Sequence, residues 1–161
     1  FRLQAMDVNS PAFFVLGVVT GLASVLGSTG IICHILRRRH ILATTYHRFL
    51  FVTSAMDIVV SIVGALSTLP VPRDTPNVVL ALGNTMTCDI QGFATVLAGS
   101  CTWFYLFFLT VQYYLVICTK LEDRTIIKKI EPFMHLIALG WSTSVAVAGL
   151  VLELYNFTDR S

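Results

Sequence analysis

Four long apolar runs, at residues 11–36, 49–69, 88–118 and 133–155, constrain this chain more than any other feature. A helical crossing of a bilayer takes about 20 residues, a length that each run reaches. Backbone polar groups in hydrocarbon must be satisfied within their own segment, so the runs read as spanning helices. Hydrophobic residues make up 55% of the 161 and charged residues 12%. A soluble domain carries about 25% charge, so a water-facing coat is out of reach here. The expected fold is all-α: one integral membrane bundle over residues 1–161, with four transmembrane helices.

The same composition excludes several classes of function. The formal charge is +2, and the basic residues fall in short clusters between apolar blocks. Nucleic-acid binding therefore has no support. His34, His40, His47 and His135 do not form closely spaced boxes, so neither a metal nor another cofactor is implied. No Gly-x-Ser-x-Gly elbow, Cys/His pairing or glycine-rich phosphate loop occurs, and Asp57 has no second intramembrane carboxylate, so an enzyme is not expected. The cysteines at 33, 88, 101 and 118 lack Cys-x-x-Cys spacing. Cys33, Cys101 and Cys118 lie inside spans and read as small packing residues. Cys88, at the mouth of the third helix, is either a free thiol or has a partner beyond Ser161. The first residue is Phe1, which reads as a processed chain or a piece of a longer one.

Orientation follows from the basic residues, which are retained on the cytoplasmic side of short loops. The first run is followed, not preceded, by Arg37, Arg38 and Arg39, which places its N-terminus outside. The inner loops then hold those three with Arg48, Lys120, Arg124, Lys128 and Lys129, whereas the outer segments hold Arg2, Arg73 and Arg160. Asn156-Phe157-Thr158 is a glycosylation sequon, and this topology puts Asn156 outside. Pro70, Pro72 and Pro76 end the second run and mark an outer loop. Residues 120–131 read as a polar inner loop, with Pro132 in the first turn of the fourth helix.

Lipid tails are as apolar as leucine, so membrane helices associate through close backbone approach and interhelical hydrogen bonds. Gly17, Gly21, Ser24 and Ser28 form one small-residue stripe; Gly140, Ser144 and Ala148 form a second. Both are expected contact faces, although such residues are common in any spanning helix. Thr53, Ser54, Asp57, Ser61 and Thr68 line one side of the second helix. A mid-membrane carboxylate costs about 2.5 to 3.5 kcal/mol, against roughly 5 kcal/mol returned by the apolar residues of that span. Asp57 must therefore face the bundle or a wet cavity. It reads as an ion or proton site, as a polar hub with Ser54 and Ser61, or as a carboxylate satisfied by neighbouring hydroxyls.

A family is visible in this order of features. An outer-mouth cysteine (Cys88) opening a long third helix, a mid-membrane Asp57, Trp141 in the fourth helix and a basic first inner loop resemble the first half of a seven-helix G-protein-coupled receptor. Tyr46-His47-Arg48, Ser54-Ala55-Met56-Asp57-Ile58, Leu66-Ser67-Thr68-Leu69-Pro70-Val71-Pro72, Gly83-Asn84-Thr85-Met86-Thr87-Cys88, Gln91-Gly92-Phe93 and Tyr113-Tyr114-Leu115-Val116-Ile117 are similar to one branch. That branch comprises the receptors of diatoms and related protists, which are themselves similar to cyclic AMP receptors and secretin-like receptors.

The resemblance implies a disulfide from Cys88 to the second outer loop, with its partner beyond residue 161. It implies a polar hub at Asp57, where rhodopsin-like receptors hold sodium and water, and a ligand cavity bordered by Gln91, Thr95 and Trp103. Arg37, Arg38, Arg39, Tyr113 and Tyr114 would form the surface that engages a cytoplasmic transducer, with a heterotrimeric G protein as the implied partner. One departure stands out: Gln112-Tyr113-Tyr114 replaces the Asp-Arg-Tyr of rhodopsin-like receptors, which argues against that branch. These tyrosines also fit an interfacial aromatic belt.

The resulting expectation is the first four helices of a multi-pass receptor in the plasma membrane, with its N-terminus outside, lipid around it and an unnamed extracellular ligand. Three further apolar segments and a cysteine soon after Ser161 are expected with it. The rival readings are a complete four-span structural or adaptor protein, and a transporter or channel subunit with Asp57 as ion ligand.

Overall fold

The computed structural model describes residues 11–38, 42–66, 68–73, 81–120 and 122–155. Its elements are α1 (Pro11–Arg37), α2 (Thr45–Leu66), α3 (Thr85–Ile117), a single helical turn at Asp123–Thr125, a π-helical turn at Ile126–Ile130 and α4 (Glu131–Val151). The four long helices are each long and apolar enough to cross a bilayer. The chain is a multi-pass, all-α membrane protein. At 33 residues α3 runs about 50 Å, longer than the roughly 30 Å hydrocarbon layer.

Helix boundaries differ from the apolar runs by a few residues, for identifiable reasons. α2 begins at Thr45, before its apolar run, because Thr45 and Arg48 turn inward to a buried partner on α4. α3 begins at Thr85 because Asn84 caps it: the Asn84 side chain accepts from the Thr87 N–H, and the Thr87 hydroxyl accepts from the Asn84 N–H. This reciprocal cap satisfies two orphan donors. The Thr87 hydroxyl also donates to the Pro70 carbonyl at 2.7 Å, joining the cap to the proline turn after α2. The Leu82 and Gly83 N–H groups donate to Leu69 and Val71. Gly83 sits so close to that turn that a Cβ would lie 2.0 Å from the Pro70 oxygen.

The largest correction concerns residues 120–131. Beyond the turn at Lys120, which takes the left-handed conformation (φ 52°), the chain is helical from Asp123 onward. Ile126 and Glu131 are buried, while Lys128 and Lys129 are exposed. The two buried residues are five apart, which is the repeat of a π turn, and the Glu131 N–H donates to the Ile126 carbonyl accordingly. Pro132 gives a reason for the wider turn, since its ring needs room near the Lys128 carbonyl and it offers no N–H.

α1 packs on α2, α2 on α3 and α3 on α4. The core lies where α2 begins, α3 passes its midpoint and α4 begins. It contains Phe49, Cys101, Tyr105, Phe108, Leu109, Met134 and Ala138. We call this the basic end, because Arg37 and Arg38 at the end of α1, Lys120 after α3, and Arg124, Lys128 and Lys129 ahead of α4 all fall at helix ends on this side; the opposite end carries the proline turn. Much of the remaining apolar surface faces outward, including Val15, Val19, Leu22 and Leu26 of α1. Patches of that extent suit lipid and not water.

Candidate functional site

The first polar junction lies between α1 and α2. Asp57 accepts through Oδ2 from the Ser24 hydroxyl at 2.9 Å and from the Ser28 hydroxyl, while Ser61 donates to Ser24 at 2.8 Å. Every proton in this chain of hydroxyls points toward the carboxylate, so the bonds polarise one another. The arrangement is that of a carboxylate satisfied by neighbouring hydroxyls. Most of those hydroxyls come from the facing helix, not from Asp57's own. Ser61 joins through Ser24; Ser54 is buried but is not a partner of Asp57.

The α1 stripe makes this junction possible. A Cβ on Gly21 would meet the Ser61 carbonyl and the Ala65 methyl, each at 2.9 Å, and Gly17 faces the Gly64 carbonyl. The stripe of the fourth helix behaves differently: Gly140, Ser144 and Ala148 face outward, and the Ser144 hydroxyl bonds back to its own helix at Gly140. α4 buries Met134, Ala138, Ser142, Ala146 and Gly149 instead. Both faces of α4 carry small residues, so size alone does not choose between them. The choice is fixed by Glu131 and His135, which anchor the rotation of the helix.

Those two residues belong to a second junction, at the basic end. Glu131 is buried, and its side chain is only 6% exposed. It accepts from Arg48 Nη1 at 3.2 Å through Oε1 and from the Thr45 hydroxyl at 3.3 Å through Oε2. His135 Nε2 lies 3.6 Å from the same Oε1, and its Nδ1 shares a 2.7 Å hydrogen bond with the Tyr105 hydroxyl. Phe49 packs edge-on to the His135 ring, with centroids 5.3 Å apart. Residues from α2 and α4 thus meet at one carboxylate, and Tyr105 of α3 joins them through His135. Sequence reasoning placed Glu131 in a loop and weighed His135 only as a metal ligand. The available signal was an acid and a histidine four apart, on one helical face, among basic residues.

At the proline end, a cavity of about 350 Å³ opens between α2, the proline turn and α3. Val63 and Leu66 wall it on one side and Ile90, Gln91 and Ala94 on the other. Gln91 donates to the Val63 carbonyl at 3.2 Å, a polar strap in an otherwise apolar space. Thr95 and Trp103 do not line this cavity. The Thr95 hydroxyl is exposed and bonds to the Gln91 carbonyl, and Trp103 is 77% exposed on the outside of α3. Twelve residues at 100° each carry position 103 about 120° around the helix from 91. Trp141 also faces outward.

Cys88 is a free thiol here, 3.3 Å from the Tyr155 carbonyl. Tyr155 folds back from the end of α4 and lies across two glycines: a Cβ on Gly92 would sit 2.5 Å from its ring, and one on Gly149 2.3 Å from its hydroxyl. That hydroxyl donates to the Ala146 carbonyl at 3.0 Å. Gly92→Ala is expected to displace the ring and lower stability by about 1 to 3 kcal/mol. Thermal unfolding of the variant checks this, and a loss below about 0.5 kcal/mol would mean that the slot is not filled as described.

Arg37, Arg38 and Tyr114 are exposed, and Tyr113 stacks on Tyr46 with centroids 5.6 Å apart. Arg39 and Asn156 lie outside the described residues. Of the other cysteines, Cys101 is buried in the core while Cys33 and Cys118 face outward. Three buried polar atoms, Thr53 Oγ1, Gln112 Oε1 and Ser142 Oγ, have no hydrogen-bond partner among the described residues. No group of three His, Cys, Asp or Glu residues among the described residues is placed to hold a metal.

Fold and site together define a multi-pass helical membrane protein with two interhelical polar junctions. Comparison with protein-family models, with curated proteins and with solved structures finds no match.

Proposed function

We propose that this chain is the helical core of a membrane receptor, which takes a ligand at the proline end and passes a conformational change to a cytoplasmic transducer at the basic end. The observation that carries this reading is a shared pair of helices. α2 and α3 wall the cavity, and the same two helices supply Arg48, Thr45 and Tyr105 to the Glu131 junction. A ligand that wedges the cavity open therefore bears on the residues that hold the basic end together. Such a ligand acts only if it binds one packing of the helices better than another. The excess of basic residues at the junction end supports its being cytoplasmic, with the N-terminus outside and the protein in the plasma membrane. A heterotrimeric G protein is the transducer class we infer, and Arg37, Arg38, Tyr113 and Tyr114 belong to the surface that would meet it. A disulfide from Cys88 and a glycan on Asn156 are parts of the same proposal.

The test is guanine-nucleotide exchange on heterotrimeric G proteins of each class, with the protein in lipid nanodiscs. Filling the cavity with Ala94→Phe, or loosening the junction with Glu131→Gln, is expected to change exchange about fivefold or more, the range of ordinary allosteric coupling. Exchange that none of the G proteins shows, together with a cation flux abolished by Asp57→Asn, would replace the receptor by a transporter.

A further inference from the structure

We propose that the turn ahead of α4 is a binding site for an anionic phospholipid, with Lys128 and Lys129 holding its headgroup. The inference concerns this turn alone and stands whether or not the chain is a receptor.

The π turn builds the site. Ile126 and Glu131, five residues apart, are buried and mark its inward side. Lys128 and Lys129 fall midway between them and stand on the opposite side, where both are exposed. An α-helical turn closes every 3.6 residues, which leaves a single position at the centre of its outward side. The extra residue of the wider turn makes room there for two. Two adjacent cations therefore share one outward sector, and Arg124 ahead of them is exposed as well.

These cations are not spent within the protein. Arg48, the basic residue that meets α4, is engaged by Glu131. Among the described residues neither Lys128 nor Lys129 is in an ion pair. Between residues 120 and 130 the four basic residues Lys120, Arg124, Lys128 and Lys129 stand against the two acids Glu122 and Asp123, which leaves a net charge of +2. The surplus calls for an anion from outside.

Depth identifies that anion as part of a lipid. The apolar helix runs 26 residues, Ile126–Val151, whereas crossing the hydrocarbon takes about 20. Counted back from Val151, the crossing is complete near Pro132. Lys128 and Lys129 then lie roughly 5 Å beyond the hydrocarbon edge, within a headgroup layer about 5 to 7 Å thick on each face. Phe133, Leu136 and Ile137 are exposed on the outward side of α4, and offer an apolar wall to the acyl chains of a lipid whose headgroup reaches the lysines. An anionic headgroup brings acceptors and net negative charge to two ammonium groups, each with three donors. A zwitterionic headgroup brings its own cation, which offsets the attraction. Each Lys or Arg beside an anionic membrane surface favours it by about fivefold.

Native mass spectrometry of the whole chain, released from nonionic detergent with equal amounts of phosphatidylserine and phosphatidylcholine, reads the site as the ratio of the two lipids retained. The wild type is expected to retain phosphatidylserine about fivefold or more over phosphatidylcholine. Lys128→Gln with Lys129→Gln is expected to lower that ratio about fivefold, and a fall of more than about twofold supports the site. Lys128→Arg with Lys129→Arg keeps the ratio, as does Arg37→Gln with Arg38→Gln. A wild type that retains both lipids alike overturns the proposal, as does a glutamine pair that stays within about twofold of it. An equal fall with Arg37→Gln and Arg38→Gln would spread the attraction over the whole basic end and overturn the site. Displacement of the retained lipid by an equal concentration of glycerol phosphate would assign the lysines to soluble phosphate and overturn the lipid.

Discussion

Replacing Gly21 by leucine is expected to unseat α1 from α2 and to cost about 3 to 5 kcal/mol. The cost has two sources. A side chain at this position collides with the Ser61 carbonyl and the Ala65 methyl at its first carbon, and overpacking alone costs about 1 to 3 kcal/mol. Moving the helices apart to relieve the collision then breaks the bonds of Ser24 and Ser28 to Asp57 and of Ser61 to Ser24. Interhelical bonds in membranes average about 0.6 kcal/mol each, with a maximum near 1.7. The control is built into the same helix, because Gly27 and Gly30 face open space. Leucine at either is expected to change stability by less than about 0.5 kcal/mol. Unfolding of the three variants in nanodiscs checks the ordering, and equal effects at 21 and 27 would place the interface elsewhere.

Glu131→Ala is the second large effect. Breaking a buried ion pair by removing one partner costs about 3 to 5 kcal/mol, because the other charge is left unpaired. The Arg48 side chain keeps 39% exposure and can turn partly to water, so a loss of about 2 to 3 kcal/mol is expected instead. Replacing both partners, as in Arg48→Met with Glu131→Leu, is expected to be less harmful than Glu131→Ala alone. An apolar pair avoids the desolvation that the ion pair carries. A double variant worse than the single one would mean that the junction is held by more than these charges.

Much of the fold is legible in the amino-acid sequence, because hydrocarbon leaves so few options. Run length and backbone satisfaction together dictate helices, and the Gly17, Gly21, Ser24 and Ser28 stripe marks the α1–α2 contact through the one force that works in lipid, close approach. Asp57 is legible for the same reason: a carboxylate at that depth must find donors. Its donors were not. Ser54 lies within one turn of it on its own helix, yet the hydroxyls that reach it come from Ser24 and Ser28, whose placement depends on how α1 docks.

The junction at the basic end was hidden by a local signal that points the wrong way. Four basic residues between 120 and 129 read as a solvated loop, and the π turn that carries Ile126 and Glu131 inward interrupts the 3.6-residue period used to read helices. The fourth helix failed similarly, since Ala138, Ser142 and Ala146 are as small as Gly140, Ser144 and Ala148. Only the contact of Glu131 with Arg48 tells the two faces apart. Tyr155 was missed because its slot needs Gly92 and Gly149, 57 residues apart, to come together.

The most direct test of α2 and α3 as the link between cavity and junction is a distance between spin labels at the basic end. Ala43 and Lys128 are exposed there, ahead of α2 and α4 respectively, and cysteines at both, in a background with the native cysteines replaced by serine, carry the labels. Filling the remote cavity with Ala94→Phe is predicted to shift the distribution by a few ångströms, in the same direction as Glu131→Gln, which loosens the junction itself. A distribution that Glu131→Gln moves and Ala94→Phe leaves unchanged would contradict the coupling, and with it the receptor.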